Sequence, residues 1–290
     1  MEKFIRSFDG VKVCYWHERK ENPLTLVFLH GVGGNWTVWK KEIEFFQKKG
    51  YSTLTLDLRG HGQSDAPIPF HHYGLPCFSR DIYTILRQEK IDNFALVGHS
   101  LGGAVSINYC MRYKHLFPKS LILVESASKY PFEHDHILNY SPYVTHLLRF
   151  LADHAPLRKR HFPHLDDVDL SERSILARFK FIRYLLHLTP IRSIVETLDN
   201  VERFVFHNKD RIDATLQHLT IPTLLIAGDH DTTVPPEFSK YIKRLNKNAQ
   251  LRILRGAGHR VTVEKPEQVC SILYKFVQHK LHTVPVLQTR

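Results

Sequence analysis

Disulfide chemistry, export signals and membrane spans are what this 290-residue chain most plainly does without. Its four cysteines, Cys14, Cys77, Cys110 and Cys270, are widely scattered with no C-x-x-C spacing. That argues against a disulfide frame and for buried free thiols in a reducing compartment. The opening segment from Met1 to Gly10 carries acids and has no apolar h-region, and no apolar run approaches the ~20 residues that span a bilayer. The expected location is the cytoplasm. An H-E-x-x-H motif is absent, and His71-His72 and His134-Asp135-His136 lack partners at zinc spacing, so neither a metal nor a cofactor is expected. There is no compact Lys/Arg tract with interleaved aromatics, no zinc-finger spacing and no RNA-binding signature, which removes nucleic acid from the expected partners. The net charge of +11 with histidine neutral therefore bears on solubility and partners rather than on fold. It is compatible with an anionic substrate or a membrane surface and argues for neither. The densest basic cluster, Arg158-Lys159-Arg160-His161, reads as a solvated face.

What the chain does have is apolar material, 43% of its residues, enough for one sizeable domain or a core carrying an insertion. Lys3 to Phe8 and Val11 to Trp16 alternate around the turn dipeptide Asp9-Gly10 and read as a hairpin. Apolar runs follow at Leu24–Leu29, Tyr51–Leu56, Phe94–Val97, Ser120–Val124 and Thr223–Ala227. Between them lie helix-like stretches such as Trp36–Lys49, Gly74–Glu89 and Gly103–Lys114. Near-continuous apolar strands separated by helices predict an α/β fold, a mostly parallel twisted sheet covered on both faces. Gln250–Leu254 reads as a last strand, Glu264–His279 as a closing helix and Thr283–Arg290 as a loosely held tail. The rhythm breaks between Lys129 and Leu219, where helical periodicity continues without a convincing strand. Tyr143–Asp153, Ser171–Leu188 and Ile191–Asn200 read as amphipathic helices separated by Pro156, Pro163 and Pro190. The expected organisation is a core of residues 1–128 and 220–290 interrupted by a helical cap of residues 129–219. Such a cap would lie over the carboxyl ends of the strands, where open α/β sheets bind ligands.

One stretch carries chemistry on its face. Gly98-His99-Ser100-Leu101-Gly102 places a serine between two glycines, after an apolar run and before a small-residue helix, the arrangement of a nucleophile elbow. The turn must be tight, so its flanks need to be free of side chains while the serine is held with its hydroxyl exposed. Ser100 also stands at a helix N-terminus, where unpaired N–H groups favour negative charge. The plainer alternative is a serine that caps an ordinary strand-to-helix turn.

A serine hydroxyl is a weak nucleophile unless a base takes its proton, and an imidazole oriented by a carboxylate is the usual solution. Asp231 follows the Thr223–Ala227 strand within Gly228-Asp229-His230-Asp231, and His259 follows the last strand within Gly256-Ala257-Gly258-His259. The order Ser100, Asp231, His259 is that expected for the elbow-bearing fold. Asp231 could instead cap the helix that opens near Pro235, Asp229 could compete with it, and Glu125, at the end of the Ser120–Val124 strand, is an alternative acid. For the oxyanion hole, Leu101 N–H is one expected donor. The second, Val32 N–H, comes from the glycine-rich loop His30-Gly31-Val32-Gly33-Gly34. Those glycines could also cradle a phosphate, but the lysine and Ser/Thr of a P-loop are missing.

These motifs, together with Leu56-Asp57-Leu58-Arg59-Gly60-His61-Gly62-Gln63-Ser64, closely resemble the α/β-hydrolase superfamily, in the branch with a helical cap between the sixth and seventh core strands. The resemblance implies that Ser100, Asp231 and His259 form a catalytic triad with the Val32 and Leu101 amides as oxyanion hole. It also implies that Asp57 through Ser64 form a structural turn. Haloalkane dehalogenases and epoxide hydrolases of the superfamily carry an aspartate at the elbow, and this chain has serine. Esterases, lipases, thioesterases, lactonases, C–C bond hydrolases of dienol carboxylates and cofactor-free haloperoxidase-like enzymes fit the pattern equally. The expectation is a serine hydrolase acting through an acyl-enzyme on a small-molecule ester with an apolar acyl part. A non-catalytic binding protein would have no need of all three groups.

Overall fold

The computed structural model describes residues 2–129 and 189–281, and in it the expected alternation becomes a single sheet of eight strands. The strands are β1 (Glu2–Arg6), β2 (Lys12–Glu18), β3 (Asn22–Leu29), β4 (Tyr51–Leu56), β5 (Phe94–His99), β6 (Ser120–Val124), β7 (Thr223–Gly228) and β8 (Ala249–Leu254). Their spatial order is β1-β2-β4-β3-β5-β6-β7-β8. From β4 to β8 every neighbouring pair is parallel, while β2 is antiparallel to both β1 and β4. The helices are α1 (Lys40–Lys48), α2 (Leu75–Gln88), α3 (Leu101–Arg112), α4 (Ile191–Gln217), α5 (Pro236–Leu245), α6 (Val261–Glu264) and α7 (Pro266–Leu281), with short 3₁₀ turns at Trp36–Trp39 and Phe70–Tyr73.

The apolar runs are continuous because successive side chains of each inner strand enter different cores. Val27, Leu29, Leu96, Leu121, Leu123 and Leu225 pack with α2, α3 and α4 on one face. Leu26, Phe28, Val97, Ile122, Val124 and Ile226 pack with α1 and α7 on the other. A fully buried side chain of this size contributes about 1.5–3 kcal/mol, so the two layers together commit the central strands to this sheet.

Three expectations are revised. The first hairpin closes with a longer turn than Asp9-Gly10: the Ser7 amide donates to the Val11 carbonyl at 2.8 Å, and Gly10, at φ 83°, returns its amide to the Ser7 carbonyl at 3.0 Å. Ser7 donates to Asp81, and both Asp9 and Asp81 hold the Arg59 guanidinium. The helix expected over Ile191–Asn200 runs on to Gln217, with a kink at Asn208, whose φ −122° and ψ 16° are not helical. Asn200 does not end it, since its side-chain amide donates back to the Glu196 carbonyl and across to that of Phe70. The closing helix expected over Glu264–His279 is α7; it opens at Pro266, at a helix start where a missing N–H is tolerated, and a separate short helix, α6, precedes it. The helices expected over Tyr143–Asp153 and Ser171–Leu188, the cluster Arg158–His161, the residues His134–His136, the prolines Pro156 and Pro163, and the tail Thr283–Arg290 lie outside the described residues. Among the described residues no helix is long and apolar enough to cross a membrane.

The stretch from Asp57 to Ser64 is a turn that ties strands together, as the resemblance implies. Asp57 accepts from the amides of Trp36 at 2.9 Å and Gln63 at 2.7 Å. Gly62 lies so close to that carboxylate that a Cβ would meet its Oδ2 at 2.1 Å. Ser64 Oγ accepts from the Cys14 amide at 2.8 Å and so reaches across to β2.

Glu42, on the inner face of α1, is fully buried, and neither of its carboxyl oxygens has a hydrogen-bond partner. Burial pushes its pKa well above the ordinary carboxylate value of 4.5. The folded state therefore holds this proton where the unfolded chain has released it, and stability is lost as pH rises from about 4.5 toward the folded pKa. Glu42→Gln removes the titration. In urea unfolding from pH 4 to pH 8, the stability of the variant relative to the wild type should climb with pH and level off. A difference that stays flat across that range would show that Glu42 is not held protonated.

Candidate active site

The elbow is built by contact of backbone with backbone. At Gly98 an added Cβ would fall 2.3 Å from the Gly102 carbonyl oxygen, and at Gly102 it would fall 2.3 Å from that of Leu29. Only side-chain-free residues allow α3 to start so close to β3 and β5. Between them Ser100 has φ 51° and ψ −114°, a conformation that costs a non-glycine residue of order 1–3 kcal/mol. Its amide donates to the Val124 carbonyl at 3.0 Å, and its carbonyl receives the Gly103 and Ala104 amides. The Ser100 side chain does not cap α3, so the simple N-cap alternative is not what the structure shows.

The hydroxyl instead faces an imidazole. Ser100 Oγ lies 3.1 Å from His259 Nε2, and His259 Nδ1 lies 2.8 Å from Asp231 Oδ2. The Asp231 carboxylate is buried, 3% exposed for the residue as a whole. Its Oδ1 accepts the amides of Thr233 and Val234, both at 2.8 Å. One oxygen shapes the turn before α5 and the other orients the histidine, so the two readings of Asp231 are both true of it. An acceptor at Nδ1 places the ring proton there and leaves the Nε2 lone pair to receive the serine O–H. Asp229 points elsewhere and accepts the Gly256 amide at 2.6 Å.

Glu125, the alternative acid, does not bond the His259 ring. Its Oε2 lies 3.1 Å from His99 Nε2 and 3.1 Å from the Val261 amide. Burial raises its pKa, against the lowering effect of His99. His99 is also raised: burial alone would lower it, but the adjoining Glu125 carboxylate outweighs that. No role could be read for His99 from the sequence, where it occupies the unspecified second position of the elbow motif. Only its apposition to Glu125 reveals it. Ligand atoms of His99, Glu125 and His259 come within 4.8 Å of one another, and the hydrogen bonds just described account for that approach.

The two residues expected to supply oxyanion amides come from segments that adjoin the serine. Leu101 is the first residue of α3, so its N–H has no intrahelical acceptor. The loop after β3 abuts the elbow, because a Cβ at Gly31 would lie 3.1 Å from Ser100 Cβ. Val32 follows directly. The Gly34 amide closes a turn onto the Gly31 carbonyl at 3.2 Å, and His30 Nδ1 lies 2.7 Å from the same oxygen. His30 Nε2 accepts the Leu58 amide at 2.9 Å, which locks the ring between this loop and the Asp57–Ser64 turn. At the far end of the insertion, Thr189 donates to the Gly33 carbonyl at 3.2 Å.

A model of the alpha/beta hydrolase fold family matches residues 25–266. Over 300 residues, covering 95% of this chain and 77% of the relative, the chain is 26% identical to epoxide hydrolase 3 of Xenopus tropicalis. It is 27% identical over 284 residues to human protein ABHD8, again with 95% of this chain covered, and it spans 58% of that relative's length. Among solved structures, an esterase from Exiguobacterium antarcticum superposes with a TM-score of 0.72 at 19% identity, covering 96% of this chain and all of the other.

The close approach at the elbow has a direct consequence. Gly102→Ala drives a methyl group into the Leu29 carbonyl of a central strand, which is held on both sides. Overpacking of this kind costs typically about 1–3 kcal/mol. Chemical denaturation should show a loss in that range, whereas Gly50→Ala, at a turn with open space around it, should lose less despite its positive φ. Equal losses would mean that the elbow can relax.

Proposed function

As this chain belongs to the alpha/beta hydrolase fold family, we propose that it is a serine hydrolase cleaving an ester-like bond of a small, largely apolar carboxylic substrate through an acyl-enzyme. The observation that carries this is the continuous chain of hydrogen bonds from Ser100 Oγ through His259 to Asp231. Ser100 Oγ attacks the carbonyl carbon while His259 Nε2 takes its proton. The Asp231 carboxylate holds the imidazole in the required tautomer and stabilises the imidazolium that forms. The Leu101 and Val32 amides receive the oxyanion, an interaction typically worth ~3 kcal/mol of barrier per donor. His259 then protonates the departing alcohol. Water, activated by the same histidine, releases the acid from Ser100. The chemistry calls for no metal and no cofactor.

The serine also bears on which member of the family this chain resembles in activity. An aspartate that opens an epoxide leaves an ester, which water can hydrolyse to regenerate the enzyme. A serine that opened an epoxide would leave an ether, which this constellation has no means of cleaving. The likeness to a relative named epoxide hydrolase therefore supports the shared family and not that activity. Residues 129–219 are assigned as the cap that selects the substrate. This is supported by their place between β6 and β7 and by the bond from Thr189 to the loop of Val32. A cytoplasmic location accords with four cysteines that all stand as free thiols.

A fluorophosphonate probe, which forms a stable adduct with an activated serine, tests the reading. The wild type should be labelled, Ser100→Ala should not, and Asp231→Asn should react about 10³–10⁴-fold more slowly. A series of p-nitrophenyl esters of increasing acyl length then reads the acyl pocket. Absence of labelling in the folded wild type, or undiminished labelling of Ser100→Ala, would overturn it.

A further inference from the structure

The histidine that faces Ser100 sits on a loop, and that loop is tied in two ways. Some anchors run to its own neighbours: Gly256 N–H to Asp229, Gly258 N–H to Glu264 at 2.8 Å, and the Ala257 carbonyl to the His230 amide at 2.9 Å. None of these reaches the strand that carries the serine. A second set does, and it is made by two buried side chains that the triad does not use. His99 Nε2 lies 2.9 Å from the His259 carbonyl and 3.1 Å from Glu125 Oε2. The same Glu125 oxygen accepts the Val261 amide at 3.1 Å. Since both neighbours of His99 Nε2 are acceptors, that nitrogen carries the hydrogen and donates to each.

We propose that His99 and Glu125 are positioning residues, a clasp that fixes the loop bearing His259 against the elbow and so sets the reach of its imidazole to the Ser100 hydroxyl. The proposal rests on the triad reading above. The placement is specific. His99 directly precedes Ser100, and its two partners on the far side, the His259 carbonyl and through Glu125 the Val261 amide, flank the imidazole along the chain. The clasp thus joins the backbone of the nucleophile to the backbone of its base. It is also held without slack: a Cβ at Gly31 would come within 2.9 Å of His99 Nδ1, and Trp39 meets the His99 ring edge-on. Among the described residues three non-glycine residues have positive φ, namely Lys90, Ser100 and Glu125. Lys90 follows α2 and lies before β5, at the other end of that strand from the elbow, and the other two are the nucleophile and the acid of the clasp. Such strain persists only where surrounding structure over-determines it, and it concentrates at functional sites.

A structural brace and a positioning clasp differ in what their loss changes. Misplacing a reacting group by about 1 Å can cost ~10²-fold in rate. His99→Phe and Glu125→Ala should therefore slow fluorophosphonate labelling and the kcat for p-nitrophenyl butyrate by about 30- to 100-fold. KM should change by less than about twofold, because substrate contacts are untouched. His99→Gln, whose amide N–H₂ can serve both acceptors, and Glu125→Gln, whose carbonyl can serve both donors, should return to within about fivefold of wild type.

A second readout does not depend on turnover. The His259 Nδ1 proton, bonded to Asp231, should give a low-field proton resonance, assigned by its loss in His259→Ala. It should disappear or broaden in the two breaking variants and persist in the two Gln variants, with far-ultraviolet dichroism unchanged throughout. Breaking variants that label at the wild-type rate and keep the low-field resonance overturn the clasp while leaving the triad reading intact. If the wild type is not labelled at all, the serine hydrolase reading fails, and the resonance alone decides whether His99 and Glu125 position His259. Unfolding of a breaking variant that its Gln counterpart does not share supports the clasp only if the folded breaking variant at the other position loses the resonance. If that variant keeps it, the pair is a brace and the proposal fails.

Discussion

The start of α3 against the carbonyl of Leu29 is the contact on which the geometry of this molecule turns. A helix normally stands off a sheet by the thickness of two layers of side chains. Here Gly98 and Gly102 remove those layers at one point, and the chain leaves β5 and enters the helix within a single residue. The cost is concentrated in the backbone of Ser100, at φ 51°. Parallel pairing on both sides makes the distortion tenable, since β5 is bonded to β3 and β6 along its length. A strained residue at a sheet edge would relax; one at the centre of the sheet has nowhere to go.

Parallel strands send all their carboxyl ends to one edge, and that is how residues far apart in sequence become neighbours. Ser100 directly follows β5, Glu125 directly follows β6, Asp231 lies just past β7, and His259 lies in the turn after β8. The strand order β5-β6-β7-β8 is also their sequence order, so Ser100, Asp231 and His259 need only short loops to meet. The His259 loop is the longest reach, from the outermost strand back over the elbow. It is also where extra fastening is found, in the hydrogen bonds from His99 and Glu125.

This logic explains how much could be read from the chain alone. The inner strands were legible because burial on both faces leaves unbroken apolar runs. Ser100, Asp231 and His259 were legible because each stands among small residues at a strand end. His99 was not, for nothing local distinguishes a histidine at the open position of the elbow from a solvent-facing one. Its role is created by Glu125 on the neighbouring strand and by a carbonyl on a loop far along the chain. The extent of α4 was obscured for a similar reason. Asn200 looks like its end, yet it returns its side-chain amide to a carbonyl one turn earlier, and the actual irregularity is the kink at Asn208. The start of α7 could have been read from Pro266, whose ring favours a helix start over a helix interior.

Two carboxylates approach one histidine here, and their surroundings assign them different work. Asp231 is met by two amides on one oxygen and by the imidazole on the other, so both oxygens have hydrogen-bond donors. That arrangement suits the orienting role proposed for Asp231. Glu125 directs one oxygen to His99 and Val261 and leaves the other buried without a partner, and burial raises its pKa. A group so placed is poorly suited to stabilise a transient charge at His259, because its own charge is the costlier to maintain. It is well suited to hold two pieces of backbone at a fixed distance. The division follows from hydrogen bonding and not from proximity, since Glu125 comes within 4.8 Å of the same histidine. Distance alone would not separate Glu125 from the acid proposed for the triad; the hydrogen bonds do.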